Sequence, residues 1–143
     1  MQTDGTHPRK AFGDDERDAI DEVSTYYRYS DADPGYNGIF QDRFEEDLAK
    51  FYGKGEAVAV NSGTNALYIA LCALNLKEDR EVIVSPVTDS GTVHAILAAN
   101  LVPVVADAAP GSYNTGLEQV RDCTTDKTAA VMLVHTAGEP VSE

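Results

Sequence analysis

Small polar residues interrupt an apolar run at residues 57–71, AVAVNSGTNALYIAL. Gly63 lets the backbone approach a ligand closely, and the hydroxyls of Ser62 and Thr64 can cap a helix or donate hydrogen bonds. The free amides at the start of a helix attract an anion. The chemistry that these residues predict is the binding of a phosphate, with an ordinary helix cap as the alternative. The turn has neither the Walker A pattern nor the Gly-x-Gly-x-x-Gly pattern.

Histidines are the remaining candidates for acid–base chemistry. His135 follows the last apolar run, AAVMLV, and the carboxyl end of a strand is a plausible place near an active site. His94 lies in a helical segment, where a packed or surface role is the simpler interpretation, and His7 lies in the leading segment. Because the sequence has no Cys/His cluster and no paired-carboxylate spacing, no metal site is predicted.

The elements that must position these residues alternate between short apolar runs and helical segments from residue 57 onward. Strands are predicted at AVAV, EVIVSP, LVPVVA and AAVMLVH, and helices at NALYIALCALNL, GTVHAILAAN and GLEQVRDC. This alternation is typical of βαβ units. The predicted fold class is α/β, a partial doubly wound, mostly parallel sheet with helices on both faces. Ligands bind such sheets at the carboxyl ends of the strands, where the NSGT turn is expected.

The first part of the chain has a different pattern. Residues 1–13 are polar and are predicted to be a flexible lead-in, and residues 14–143 are predicted to form the main domain. Two amphipathic helices are predicted at DDERDAIDEVSTYYRY and IFQDRFEEDLAKFYGKG. One face of the second helix is predicted to be core, and its side chains are Phe40, Phe44, Leu48 and Phe51. Cys72, inside an apolar helix, is predicted to be a buried free thiol.

Composition excludes some classes of partner. The 143 residues have 43% hydrophobic and 24% charged residues, which is ordinary globular usage, and a formal net charge of −13. Nucleic acid and anionic membrane surfaces require a basic face, so neither is expected as a partner. No signal peptide and no run of eighteen apolar residues is present, which leads us to expect a cytoplasmic protein.

Longer stretches resemble one family. FYGKGEAVAVNSGTNALYIAL, EVIVSPVTDSGTVHAILAANLVPVVADAAPGSYNTGLEQV and TTDKTAAVMLVHTAGEPV are similar, in order and spacing, to the DegT/StrS family of sugar aminotransferases. The resemblance runs from about Phe12 to the last residue. It implies the amino-terminal part of a fold-type I large domain that uses pyridoxal 5′-phosphate (PLP).

The resemblance also implies roles for individual residues. Gly63 and Thr64, with Ser62 before them, match the phosphate-binding Gly-Thr of the family. Asp89 stands where many members have an aromatic residue that stacks on the cofactor ring. A carboxylate does not stack in this way, so Asp89 either contacts the cofactor differently or caps the helix that begins with SGT. The implied cofactor-binding residues are therefore Ser62, Gly63, Thr64 and Asp89, without a catalytic residue.

The family's Schiff-base lysine and pyridine-binding aspartate lie beyond the segments matched here, and the five lysines of this chain read as surface residues. We therefore expect a small chain of a split PLP-dependent nucleotide-sugar aminotransferase, in which a partner chain provides the lysine and the aspartate. The cofactor would be shared between the chains of a hetero-oligomer. The alternatives are a non-catalytic accessory subunit docked on a complete homologous enzyme, and a truncated fragment.

Overall fold

A computed structural model describes residues 12–35 and 37–141, and the chain divides into two compact units between Ala59 and Val60. Most of the predicted lead-in, residues 1–11, lies outside the described residues. The domain boundary after residue 13 stays a prediction.

The first unit contains two helices, α1 (Asp14–Tyr29) and α2 (Ile39–Phe51), which confirms both helix predictions. Acidic residues open α1, where the helix dipole is positive, and Glu16 Oε2 accepts a 2.6 Å hydrogen bond from Gly13 N–H. Gly53 follows α2 with a φ of 82°, the left-handed conformation that commonly ends a helix.

The phenylalanine stripe on α2 is not a core. Phe44 is 55% exposed and Phe51 is 81% exposed, and neither helix of this unit contains a fully buried residue. Phe40 is half-buried and meets the Tyr26 ring edge to face at 5.5 Å. The core prediction is therefore wrong for Phe44 and Phe51, because periodicity identifies an apolar face without providing the atoms that cover it.

The predicted strand AVAV, residues 57–60, does not form. Ala59 N–H donates to Glu45 Oε1 at 2.7 Å, a side chain of α2, so it is not available to a strand ladder. Val58 is 74% exposed. A strand is defined by its pairing with a neighbour, and no strand of the described residues pairs with this segment.

The second unit is a parallel sheet with helices on both faces, as the predicted fold class requires. Its elements in chain order are α3 (Gly63–Ala73), β1 (Glu81–Val84), α4 (Ser90–Ala98), β2 (Val102–Val105), α5 (Leu117–Cys123) and β3 (Thr128–Met132). The strand order is β2-β1-β3, and both pairs are parallel. A 3₁₀ turn, Thr136–Gly138, follows β3.

The core of this unit lies between one face of the sheet and helices α3 and α4. Val82 and Val84 of the central strand are fully buried and pack with Leu71, Ala95 and Ile96. Each of the valine, leucine and isoleucine side chains contributes about 1.5–3 kcal/mol through its removal from water. Because β1 is buried on both faces, it gives the flanking helices a rigid surface to pack against. This packing fixes the positions of the helix ends.

Cys72 is exposed, so the prediction of a buried thiol is wrong. Leu71 is the buried residue of α3 and defines its inward direction. The next residue lies about 100° further around a helix of 3.6 residues per turn, which turns Cys72 away from the sheet. The uniformly apolar sequence of α3 gave no signal for that rotation.

Candidate functional site

The NSGT turn caps helix α3. Ser62 is the N-cap residue with extended backbone angles, and its Oγ accepts a 3.2 Å hydrogen bond from Asn65 N–H. Asn61 Oδ1 accepts a 2.6 Å bond from the Asn65 side-chain amide. The hydroxyl of Ser62 has one acceptor position in use and keeps its hydrogen for a further partner. Capping therefore leaves this side chain able to bind an anion.

Gly63 stands where an anion would approach. A Cβ added to Gly63 meets no atom within 4 Å, and its φ lies outside the left-handed region. Packing and backbone conformation in the described chain therefore do not require glycine at this position. Among the described residues, no acceptor contacts the N–H of Gly63 or of Thr64. The combination of open space and free amides matches the needs of a bound phosphate.

The amino-terminal end of α4 lies directly against Thr64. A Cβ on Gly91 would collide with Thr64 Oγ1 and would lie 3.0 Å from Asp89 Oδ1. Glycine at position 91 is required by this close approach. Because each helix end carries a partial positive charge, their convergence strengthens the local attraction for an anion. Sequence reasoning missed Gly91, because DSGT reads as capping chemistry and gives no sign of a neighbour.

Asp89 is the N-cap of α4. Its Oδ1 accepts a 2.8 Å hydrogen bond from Gly91 N–H, and its own carbonyl accepts one from Thr92 N–H at 3.1 Å. The capping alternative is therefore observed, and contact with a cofactor stays a prediction. The carboxylate satisfies one free amide of α4 and places a negative charge beside Thr64. An aromatic side chain at this position would neither accept a hydrogen bond from that amide nor carry a negative charge.

The loops at the carboxyl ends of β1 and β3 are joined by hydrogen bonds. The buried Ser85 hydroxyl accepts from Val134 N–H at 3.2 Å, and Thr136 Oγ1 donates to the Val87 carbonyl at 3.0 Å. Buried Asn114 binds Thr136 N–H through Oδ1 and the Glu139 carbonyl through its amide nitrogen. These polar contacts hold the 3₁₀ turn after β3 at the same edge of the sheet as Asp89.

Neither histidine candidate is hydrogen-bonded to Ser62, Gly63 or Thr64. His135 is exposed, and its Nδ1 accepts a 3.0 Å hydrogen bond from Val141 N–H, so the neutral ring carries its proton on Nε2. His94 donates from Nδ1 to the Ser90 carbonyl at 2.8 Å, and the residue is exposed. The role of His135 near an active site stays a prediction.

Lys77 and Lys127, the described lysines of the second unit, do not reach the convergent helix ends of that unit. They precede β1 and β3 and are exposed at the amino ends of the strands, opposite the edge that carries Asp89. Lys50 and Lys54 are exposed in the first unit, where Lys50 pairs with Asp47 at 3.1 Å. The Asp47 carboxylate, through its hydrogen bond and its charge, raises the pKa of Lys50.

The groups at the convergent ends of α3 and α4 are backbone amides and hydroxyls. Within the described ranges, no three His, Cys, Asp or Glu side chains are grouped as metal ligands. None of the helices described is both long and apolar enough to cross a bilayer. Amides and hydroxyls of this kind are suited to hold a phosphate.

Comparison with known proteins gives a consistent result. The model of the DegT/DnrJ/EryC1/StrS aminotransferase family matches residues 17–142. The dTDP-4-amino-4,6-dideoxy-D-glucose transaminase of Escherichia coli is 36% identical over 104 residues, which cover 73% of this chain and 28% of that protein. The dTDP-4-dehydro-2,6-dideoxy-D-glucose 3-dehydratase of Saccharopolyspora spinosa is also 36% identical, over 68% of this chain and 23% of that protein.

Solved structures agree in fold. The aminotransferase of Psychrobacter cryohalolentis superposes with a TM-score of 0.81 and 30% identity, covering 94% of this chain and 33% of that one. NtdA of Bacillus subtilis with bound cofactor PMP superposes with a TM-score of 0.78 and 27% identity, covering 89% and 28%. The chain thus spans about a quarter to a third of the length of the proteins it matches.

Proposed function

The chain belongs to the DegT/DnrJ/EryC1/StrS aminotransferase family, and from this premise we propose that it provides the cofactor-phosphate site of a PLP-dependent nucleotide-sugar aminotransferase. A partner chain provides the Schiff-base lysine and the pyridine-binding aspartate. The product of the assembly is an amino sugar linked to a nucleotide, with an amino acid as the nitrogen donor. Relatives named for dTDP-linked and GDP-linked sugars support this substrate class.

The observation that carries the proposal is the free space over Gly63 beside unpartnered amides. The residues present fit the phosphate group of PLP, whose pyridine ring supplies an electron sink when bound. Ser62 and Thr64 donate hydroxyl hydrogen bonds to that phosphate, and the first turn of α3 donates its amides. Gly91 keeps Thr64 in place, and Asp89 forms part of the wall next to the ring.

This proposal is tested by purifying the chain with and without its co-expressed partner and comparing the two samples. Native mass spectrometry should reveal a two-component complex, and addition of PLP should give the absorption band of a lysine-bound cofactor. Replacing the partner's candidate lysine with alanine should remove the band and the amino-transfer activity. If the lysine that forms the band lies on a continuation of this polypeptide, the phosphate-site assignment stands and the two-chain assignment falls.

Asp89 favours a second candidate, a non-catalytic accessory subunit docked on a complete homologous enzyme. Its carboxylate occupies the end of α4 and places negative charge next to the predicted phosphate site. A partner that already has its own phosphate-binding turn, and that transaminates equally well without this chain, would establish the accessory role.

A further inference from the structure

Asn37 and Gly38 lie between α1 and α2 and form the one Asn-Gly pair of the sequence. Asn37 is exposed and has a φ of 64°, in the left-handed region that asparagine tolerates better than most residues. Gly38 is the N-cap of α2, and a Cβ there would lie 2.6 Å from the Tyr27 hydroxyl of α1. The fold therefore favours asparagine at the first position and glycine at the second.

The backbone nitrogen of Gly38 is available as a nucleophile. Among residues 12–35 and 37–141, no acceptor binds the Gly38 N–H, and glycine has no side chain to shield that nitrogen. Gln41 Nε2 lies 3.5 Å from Asn37 Oδ1, the atom on which negative charge develops when a nucleophile adds to Cγ. The Gly38 nitrogen and Asn37 Cγ are placed in the chain so that a bond between them closes a five-membered ring.

We propose that Asn37 is a modification site at which the folded chain deamidates without an enzyme. After a solvent base removes the Gly38 amide proton, the nitrogen bonds to Asn37 Cγ and the Cγ–Nδ2 bond breaks. Ammonia leaves with a proton from water, and a succinimide remains. Water then opens the ring. Cleavage of the Cγ–N bond gives aspartate, and cleavage between the nitrogen and the backbone carbonyl carbon gives isoaspartate. The net change consumes one water and releases one ammonia, without an oxidant, a reductant or a cofactor.

The products alter the start of α2. Both place a carboxylate one residue before the N-cap, near the positive end of the helix dipole. Isoaspartate also adds one carbon to the backbone, which displaces Gly38 from the Tyr27 hydroxyl. Tyr27 packs against Phe40 of α2 with 5.9 Å between ring centroids, and Arg43 of α2 binds Glu22 of α1 at 2.7 Å. Deamidation therefore changes the contact between α1 and α2 as the molecule ages.

The chain contains two internal controls. Asn75 and Asn100 are also exposed and left-handed, with φ values of 48° and 56°. Leucine follows each of them, and the Leu101 N–H already donates to the Ile96 carbonyl at 3.1 Å. The three asparagines therefore share a backbone conformation and differ in the residue that must supply the nitrogen.

Incubation of the 143-residue chain in mildly alkaline buffer, followed by peptide mapping with mass spectrometry, measures the three rates. The Asn37 fragment should gain the mass difference between OH and NH2 and should separate into aspartate and isoaspartate forms of equal mass. It should convert at least tenfold faster than the fragments with Asn75 and Asn100. Equal rates at the three sites would overturn the proposal.

A synthetic peptide tests whether the fold leaves this site open. Acetyl-DPGYNGIFQ-amide copies residues 33–41 and gives the rate in the absence of a fold. Asn37 in the folded chain should convert within tenfold of the peptide rate, because its neighbour's N–H has no acceptor among the described residues. Conversion slower than that limit would overturn the proposal.

A double variant blocks the nucleophile. Gly38→Ala alone collides with the Tyr27 hydroxyl, but after Tyr27→Phe the nearest atom of that side chain is 3.9 Å from the added Cβ. Tyr27→Phe/Gly38→Ala should deamidate at Asn37 at least tenfold more slowly than Tyr27→Phe alone, with circular dichroism confirming that both variants fold. The Tyr27→Phe chain should match the unmodified chain within twofold. Equal rates in the two variants would refute the role of the Gly38 nitrogen. Because no cofactor or partner enters the assays, their failure leaves the phosphate site untouched.

Discussion

Substitution of Gly63 by alanine separates a ligand-binding glycine from a structural one. A Cβ at this position meets nothing within 4 Å, and the backbone is not left-handed. Alanine therefore fits the folded chain when no ligand is bound. It also reduces the number of conformations that the unfolded chain can adopt, which stabilises a protein by about 0.4–1 kcal/mol. We expect Gly63→Ala to unfold at an equal or higher urea concentration than the unmodified chain.

Phosphate binding should change in the opposite direction. The new methyl group lies in the space through which a phosphate approaches the free amides of α3. A hydrogen bond to a charged group contributes about 1.5–3 kcal/mol, so the loss of one such bond weakens binding by about tenfold or more. Isothermal titration with pyridoxine 5′-phosphate measures this without aldehyde chemistry at surface lysines. Pyridoxine without its phosphate serves as the ligand control.

Gly91→Ala is the matched variant. Its Cβ collides with Thr64 Oγ1, so the helix ends must move apart, and overpacking of this kind costs about 1–3 kcal/mol. Both stability and phosphate binding should therefore fall in Gly91→Ala. The reasoning is refuted if Gly63→Ala binds pyridoxine 5′-phosphate as tightly as the unmodified chain, or if it is the less stable variant of the two.

Three further results are expected. Asp89→Asn keeps an N-cap and removes a negative charge, so pyridoxine 5′-phosphate should bind more tightly, whereas Asp89→Ala should also lose about 0.5–2 kcal/mol of stability in urea titrations; unchanged affinity in Asp89→Asn would contradict the charge argument. Ile83→Ala, at a fully buried position, should cost about 2–5 kcal/mol by the same measurement, and a cost below 1 kcal/mol would show that β1 is not central. The hydrogen bond from Ala59 N–H, followed by that from Gln41, lowers the pKa of Glu45 from its ordinary 4.5. The ionised Glu45 side chain therefore stabilises the folded state fully at pH values above 4.5. This stabilisation is lost as the pH falls through the lowered pKa of Glu45 in the folded state. The protection factor of the Ala59 amide, which compares its exchange rate with that of an unstructured peptide at the same pH, should fall correspondingly on acidification, and Glu45→Gln should abolish this pH dependence.

Sequence patterns predicted elements whose signals are local. Helix α1 begins and ends where its acidic opening and its Asp-Pro-Gly sequel indicate, and three of the four predicted strands form. The NSGT turn caps a helix as its hydroxyls suggest. These features depend on neighbours in the sequence, so their residues are sufficient to predict them.

The failures all concern neighbours that are distant in sequence. Residues 57–60 have the composition of a buried strand, yet Ala59 N–H bonds to Glu45. Cys72 lies in an apolar helix, and only the position of the sheet decides that Leu71 faces inward. The need for glycine at position 91 follows from Thr64, a residue of another helix. Local composition does not encode such contacts.

Pro103 lies on the open side of β2, because Val102 N–H and Ala106 N–H are both directed at the neighbouring β1 backbone, and proline has no N–H to offer there. A sheet that is receptive at two edges can add copies at both, and repeated head-to-tail addition produces an open filament. With the β2 side lacking a central donor, repeated addition of strands at that edge is disfavoured. A single proline on the far edge therefore favours a finite complex over a fibre.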